Sequence, residues 1–135
     1  YIGVIAIEFF ISNEKIYVNE VAPRPHNSGH HSIDSCDFNQ FDQQVFTLTG
    51  ASLNDPKLIT SAVMVNLLGD IWFKDGKLSS PNFDIFEEFS NEVLHIYGKH
   101  EARPGRKMGH FTVIGDNIET SLIRAKKIKT LLSKK

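Results

Sequence analysis

GVIAIEFFI (residues 3–11) and IYVNEV (16–21) flank the polar stretch SNEK (12–15), and how these runs pair decides the fold at the start of the chain. β-Branched and aromatic residues dominate both runs and favour extended backbone, while the polar interruption is turn-like, so 3–21 reads as a β-hairpin. With the hairpin centred on Glu14, Ser12 faces Ile16, Phe10 faces Val18 and Glu8 faces Glu20. A slip of one residue turns one side chain to the opposite face and breaks that pairing. Like charges directly opposite on a sheet repel, and the same-face neighbours Ala6 and Phe10 make the setting partly apolar. Two carboxylates placed this way call for a shared proton or a cation, and Mg²⁺ takes one or two carboxylates together with nucleotide phosphate oxygens. In a different register the same two residues are ordinary surface glutamates.

Two polar loops follow. APRPHNSGHH (22–31) is too rich in proline and glycine for a helix or a central strand, and it sets Arg24, His26, Asn27 and Ser28 directly after Glu20. Its three histidines have neither a cysteine partner nor a tight His-x₃-His spacing on a helix, which argues against zinc; a solvated turn is the alternative. KHEARPGRKMG (99–109) carries Lys99, His100, Arg103, Arg106 and Lys107 against the single acid Glu101. Such a focused positive loop suits a phosphate or carboxylate, because arginine offers a bidentate fork and lysine a point charge; a solvated charge run is the alternative.

Between and beyond the loops, Phe38, Phe41, Val45 and Leu48 recur at helical spacing, predicting a helix over 32–49 that stops at Gly50, with Cys36 buried in it. Strands are expected at 58–68, 93–98 and 110–114, a short helix at 81–92, and a last helix over 117–132 capped by Asp116 or Asn117. A seam near residue 50 divides the chain into 1–50 and 51–135. Across 135 residues, 15 Lys+Arg stand against 16 Asp+Glu, so the net charge of −1 makes the chain no general magnet for nucleic acid or anionic membrane. No apolar run approaches the ~20 residues of a membrane-spanning helix. One cysteine excludes an internal disulfide and fits a reducing cytoplasm. The start at Tyr1, inside an apolar run, reads as the middle of a longer protein.

The string NEVAPRPHNSGH (19–30) resembles the signature of the 5-(carboxyamino)imidazole ribonucleotide synthetases, ATP-grasp ligases of purine biosynthesis. Gly3 to Phe10, Gln40-Phe41, NLLGD (66–70), YGK (97–99) and RPGRKMGH (103–110) fit the same family in order. The resemblance implies an α+β chain: the C-terminal part of an ATP-grasp domain, with antiparallel strands and a helix, followed by a small α/β C-terminal domain. It implies an enzyme that uses ATP, Mg²⁺ and bicarbonate to carboxylate aminoimidazole ribonucleotide through carboxyphosphate, giving ADP and phosphate.

By position, the resemblance makes Glu8 and Glu20 the metal ligands and Asn19 and Glu20 the ATP contacts. It makes Arg24 and His26 the catalytic pair, with Asn27, Ser28, Lys99, Arg106 and Lys107 holding substrate, the last three at its ribose phosphate. It further implies a missing N-terminal part of the same chain, inactivity of this portion alone, a homodimeric complete enzyme, a link to the mutase that follows, and a cytoplasmic location. A non-catalytic anion-binding module and the formate-dependent transformylase are the competing classes. The paired carboxylates weigh against the first, and the full APRPHNSGH string against the second.

Overall fold

The computed structural model describes residues 1–133, which fall into two compact units that meet between Ile59 and Thr60 in the sequence. In the first, β1 (Ala6–Ser12) and β2 (Lys15–Ala22) form an antiparallel hairpin. Its turn is the two-residue loop Asn13-Glu14, with φ of 49° and 61°. Positive φ at both positions is the hairpin geometry whose twist matches that of the strands. The turn therefore lies one step from the expected centre: Ser12 pairs with Lys15 and Phe10 with Tyr17, not with Ile16 and Val18. The register then shifts at Glu8/Phe9. Phe9 faces Val18 and Glu8 faces Glu20, leaving Asn19 as the extra residue of a β-bulge.

After the hairpin, a 3₁₀ turn (Asn27–His31) leads into a single helical turn, α1 (Ser32–Ser35), and then α2 (Gln40–Thr49). The continuous helix expected over 32–49 is broken at Cys36, which is extended (φ −121°, ψ 153°) and bridges to Leu58. Cys36 is thus a partly exposed residue of extended backbone and not a buried helical one. The cause of the break is Asn39. Its side chain accepts from the Phe41 and Asp42 N–H groups while Asp42 returns a bond to the Asn39 N–H, so a fresh helix starts there. Gly50 ends α2 in the left-handed conformation (φ 71°) that glycine adopts at no steric cost.

The second unit is built on an antiparallel sheet of order β3-β7-β6, from β3 (Ser61–Leu68), β6 (Glu92–Ile96) and the central β7 (Lys107–Gly115). A small hairpin, β4 (Phe73–Lys74) and β5 (Lys77–Leu78), turns at Asp75-Gly76. α3 (Ile118–Ser133) starts at Asn117, whose Oδ1 accepts from the Thr120 N–H. The expected helix over 81–92 is only a 3₁₀ turn, Asp84–Glu88, held by i→i+3 bonds such as Phe86 N to Phe83 O, and Glu92 already belongs to β6.

Strand alternation sorts the sheet's two faces. Val63, Val65, Leu67, Phe111, Val113 and Leu94 share one face, where they pack with Ala125, Ile128 and Leu132 of α3 and with Phe83, Phe86 and Trp72. The other face carries a polar row, Asn66, His110 and His95, in register across all three strands. The buried Glu92 carboxylate accepts a hydrogen bond from Arg124, tying β6 to α3. No helix among the described residues is long and apolar enough to cross a membrane.

Candidate functional site

The bulge at Asn19 puts the two glutamates opposite each other, and the loop after β2 then folds back onto them. Ligand atoms of Glu8, Glu20 and His26 all lie within 4.8 Å of one another. The His26 ring sits between the carboxylates, with Nδ1 3.3 Å from Glu8 and Nε2 3.5 Å from Glu20. Asn19 donates from Nδ2 to the second Glu8 oxygen at 3.3 Å, and Arg24 Nη2 lies 3.7 Å from Glu20. The carboxylates are partly open to solvent, at 35% for Glu8 and 46% for Glu20, while the His26 side chain is 10% exposed. Phe10, expected to shield the pair, is itself exposed.

The loop is held from outside. Gln40, the first residue of α2, accepts from the His26 N–H at 2.8 Å and donates to the His26 carbonyl at 2.9 Å, so one side-chain amide clamps the His26 backbone. A Cβ on Gly29 would lie 2.5 Å from the same amide, so a larger residue there would have to displace the Gln40 side chain from its clamp. Ser28 Oγ meets His26 Nδ1 at 2.9 Å, and Asn27 is half-buried at the start of the 3₁₀ turn. In the sequence Gln40 is one residue of a family motif. Its clamp joins residues 14 apart and is invisible without the tertiary fold.

Oxygen donors spanning a few ångströms suit a small hard cation. Opposed ligands of Mg²⁺ stand about 4 Å apart, so Glu8 and Glu20 fit such an ion, whereas the imidazole does not match its preference for oxygen. Residues Glu8, Asn19, Glu20, Arg24, His26 and Ser28 are thus brought together within the first unit.

Lys99, Arg106 and Lys107 belong to the second unit, where Lys99 reaches the backbone of Lys107. Lys99 Nζ donates to the Lys107 carbonyl at 2.5 Å and lies 5.4 Å from the centre of the Tyr97 ring. Arg106 donates from Nη1 to the Glu101 carbonyl at 2.7 Å. Arg103, the other arginine of the loop, pairs with the Glu101 carboxylate at 2.6 Å. That hydrogen bond, and then the charge of the same guanidinium, hold the Glu101 carboxyl below the usual glutamate range and raise Arg103 above the usual arginine one. Glu101 therefore neutralises Arg103 and leaves the charges of Lys99, Arg106 and Lys107 as the positive field of the loop. Behind them, the Tyr97 hydroxyl and His110 Nδ1 share a hydrogen bond of 2.7 Å, and His95 stacks on His110 at 4.5 Å. Alternation puts His95 and Tyr97, two residues apart, on one side of β6 and its end, and cross-strand pairing brings His110 of β7 to both, so the cluster is not visible in the sequence.

A hairpin with paired acids beside an arginine–histidine loop, followed by a small antiparallel unit with a basic turn, is the end of an ATP-grasp domain joined to a C-terminal domain of carboxylase type. A family model of the ATP-grasp domain matches residues 1–41, and one of the phosphoribosylaminoimidazole carboxylase C-terminal domain matches 62–124. The chain belongs to the N5-carboxyaminoimidazole ribonucleotide synthase family. It is 50% identical over 120 residues to the N5-carboxyaminoimidazole ribonucleotide synthase of Staphylococcus aureus, a match that covers 87% of this chain and 30% of that protein. The crystal structure of the N5-carboxyaminoimidazole ribonucleotide synthetase from Thermotoga maritima superposes with a TM-score of 0.82 at 40% identity, covering 96% of this chain and 36% of that one. The synthase from Aspergillus clavatus, solved with ADP and 5-aminoimidazole ribonucleotide, gives 0.80 at 26% identity, over 96% and 35%. The chain thus spans about a third of the length of these relatives.

Proposed function

We propose that this chain is the C-terminal portion of an ATP-dependent ligase that carboxylates the exocyclic amine of 5-aminoimidazole ribonucleotide with bicarbonate, acting together with the segments its relatives carry beyond the matched third. The first unit supplies the end of the ATP-grasp domain and the second the small C-terminal domain. The observation that carries this reading is the convergence of Glu8 and Glu20 beside Arg24 and His26.

In the proposed reaction the γ-phosphoryl group of ATP passes to a bicarbonate oxygen, releasing ADP. The amine then attacks the carbon of carboxyphosphate, an N–C bond forms, the C–O bond to phosphate breaks and the amine loses its proton. Bicarbonate is a poor electrophile, and phosphorylation provides the leaving group. Glu8 and Glu20 would hold Mg²⁺, and Asn19 and Glu20 would face the nucleotide. The ion neutralises charge on the transferring phosphates when bound. Arg24, tethered within reach of Glu20 and donating to the Pro25 carbonyl, orients bicarbonate and stabilises carboxyphosphate. His26, fixed by Gln40, lies beside it. Asn27 and Ser28 contact the substrate's reacting end, and Lys99, Arg106 and Lys107 hold its ribose phosphate. The reading includes a cytoplasmic, homodimeric complete enzyme whose product is consumed by a following mutase.

The test is Glu20→Gln in the complete ligase. Aminoimidazole-ribonucleotide-dependent ATP hydrolysis falls by at least ~10²-fold, as expected for lost electrostatic stabilisation of the transferring group. Near-normal turnover refutes the metal role of Glu20.

A further inference from the structure

The basic turn of the second unit does not hold its own shape. Arg103-Pro104-Gly105-Arg106 closes with the Arg106 N–H on the Arg103 carbonyl at 3.0 Å, and Gly105 has φ +73°. Proline followed by a glycine at positive φ is the signature of a type II turn, whose middle peptide turns its N–H away from the closing bond. In isolation that N–H belongs to water. Here it donates to Asp70 Oδ2 at 2.7 Å, from a residue 35 positions earlier.

The residue before Asp70 makes two further contacts. The Gly69 N–H donates to the Arg106 carbonyl at 2.7 Å. A Cβ on Gly69 would lie 2.1 Å from the Arg103 carbonyl oxygen and 2.8 Å from its N, so the turn lies flat on a position that only glycine leaves open. Gly69 is buried at the start of the 3₁₀ turn Gly69–Trp72, whereas Asp70 beside it is exposed. One dipeptide thus fixes both ends and the centre of the turn, and with it the backbone from which the Arg106 and Lys107 side chains leave.

We infer that Asp70 and Gly69 are positioning residues that set the affinity of the turn for the phosphate of a sugar-phosphate substrate without taking part in the chemistry. This rests on the reading of Arg106 and Lys107 as phosphate-holding residues. Asp70 is itself an acid beside a site for an anion, so its charge alone disfavours binding; what it contributes is a hydrogen-bond acceptor for Gly105. The two roles have opposite signs, and this makes them separable.

The experiment measures KM for the ribonucleotide and kcat in the complete ligase for Asp70→Ala, Asp70→Asn, Gly69→Ala and Arg106→Ala, with amide exchange at Gly105 as the second readout. Asp70→Ala raises KM about tenfold with kcat within about twofold, and speeds exchange at Gly105. Asp70→Asn keeps an acceptor oxygen, so its KM stays at or below that of the unsubstituted enzyme. Gly69→Ala moves in the direction of Asp70→Ala. If Asp70→Ala leaves KM unchanged or lowers it, or if Asp70→Asn is as impaired as Asp70→Ala, the positioning role is overturned. Arg106→Ala separates the two levels. A raised KM there with a flat Asp70→Ala removes this inference alone, whereas an unchanged KM in Arg106→Ala removes the phosphate reading beneath it.

Discussion

Replacing Glu8 by Gln strengthens the hairpin when no divalent cation is present. Glu8 and Glu20 offer carboxylate oxygens within 4.8 Å of each other on paired strands. Two unit charges at that distance repel by about 1 kcal/mol in water and by about 3 kcal/mol at an effective dielectric constant of 20. Both side chains are a third or more exposed, so the lower figure applies. Glu8 is the better choice of the two. Glu20 has Arg24 3.7 Å away and loses that attraction when neutralised, whereas Glu8 faces the Asn19 amide through one oxygen and His26 Nδ1, 3.3 Å away, through the other, and Gln offers a carbonyl oxygen to the first and an N–H to the second. The expected gain of about 1 kcal/mol slows opening of the β1–β2 amides about fivefold, measured by hydrogen exchange in a chelating buffer. Added Mg²⁺ then reverses the order. It protects the unsubstituted hairpin by mass action, with ~1.4 kcal/mol expected at ten times the dissociation constant, and leaves Glu8→Gln almost unmoved. Faster exchange in Glu8→Gln without metal, or equal protection of both chains by Mg²⁺, refutes the argument that the pair is held apart by charge and relieved by a cation.

Two further predictions concern the turns. Glu14 sits at φ 61°, a conformation that costs a residue with a Cβ roughly 1 kcal/mol, so Glu14→Gly raises the stability of the hairpin by up to that amount, visible as slower exchange at Ser12 and Lys15. Glu101 has its pKa lowered by the Arg103 hydrogen bond, so the link between them is present at pH values above the ordinary glutamate range and is lost only as pH falls through the lowered value. An NMR titration of the Glu101 carboxyl finds its midpoint below that of an ordinary glutamate, and Arg103→Ala raises it towards the ordinary one.

Much of this was legible in the residues themselves because it depends on neighbours in the chain. Alternating β-branched runs specify the strands of the hairpin, Gly50 the end of α2, Asn117 the start of α3, and the clustered cations of 99–109 a positive loop. Glu8 does face Glu20, but in a register other than the one alternation predicts. The turn is Asn13-Glu14 and not centred on Glu14, and the bulge at Asn19 makes up the missing step. A bulge leaves little mark on hydrophobic alternation, so no pattern could reveal it. The helix over 32–49 failed for a local reason that propensity averages away: Asn39 and Asp42 form a reciprocal cap that starts a helix where the apolar stripe runs straight through.

By itself the sequence determined which segments are extended or helical and which chemical groups are available, because backbone preference, charge and turn chemistry act over a few residues. Only the tertiary structure decided that Gln40 clamps His26, that Asp70 and Gly69 carry the Arg103–Arg106 turn, and that Tyr97 meets His110. Those contacts join residues 13 to 35 positions apart. They form because packing the sheet against its helix, and the loop against α2, brings distant backbone groups within hydrogen-bond reach, where each polar group must find a partner.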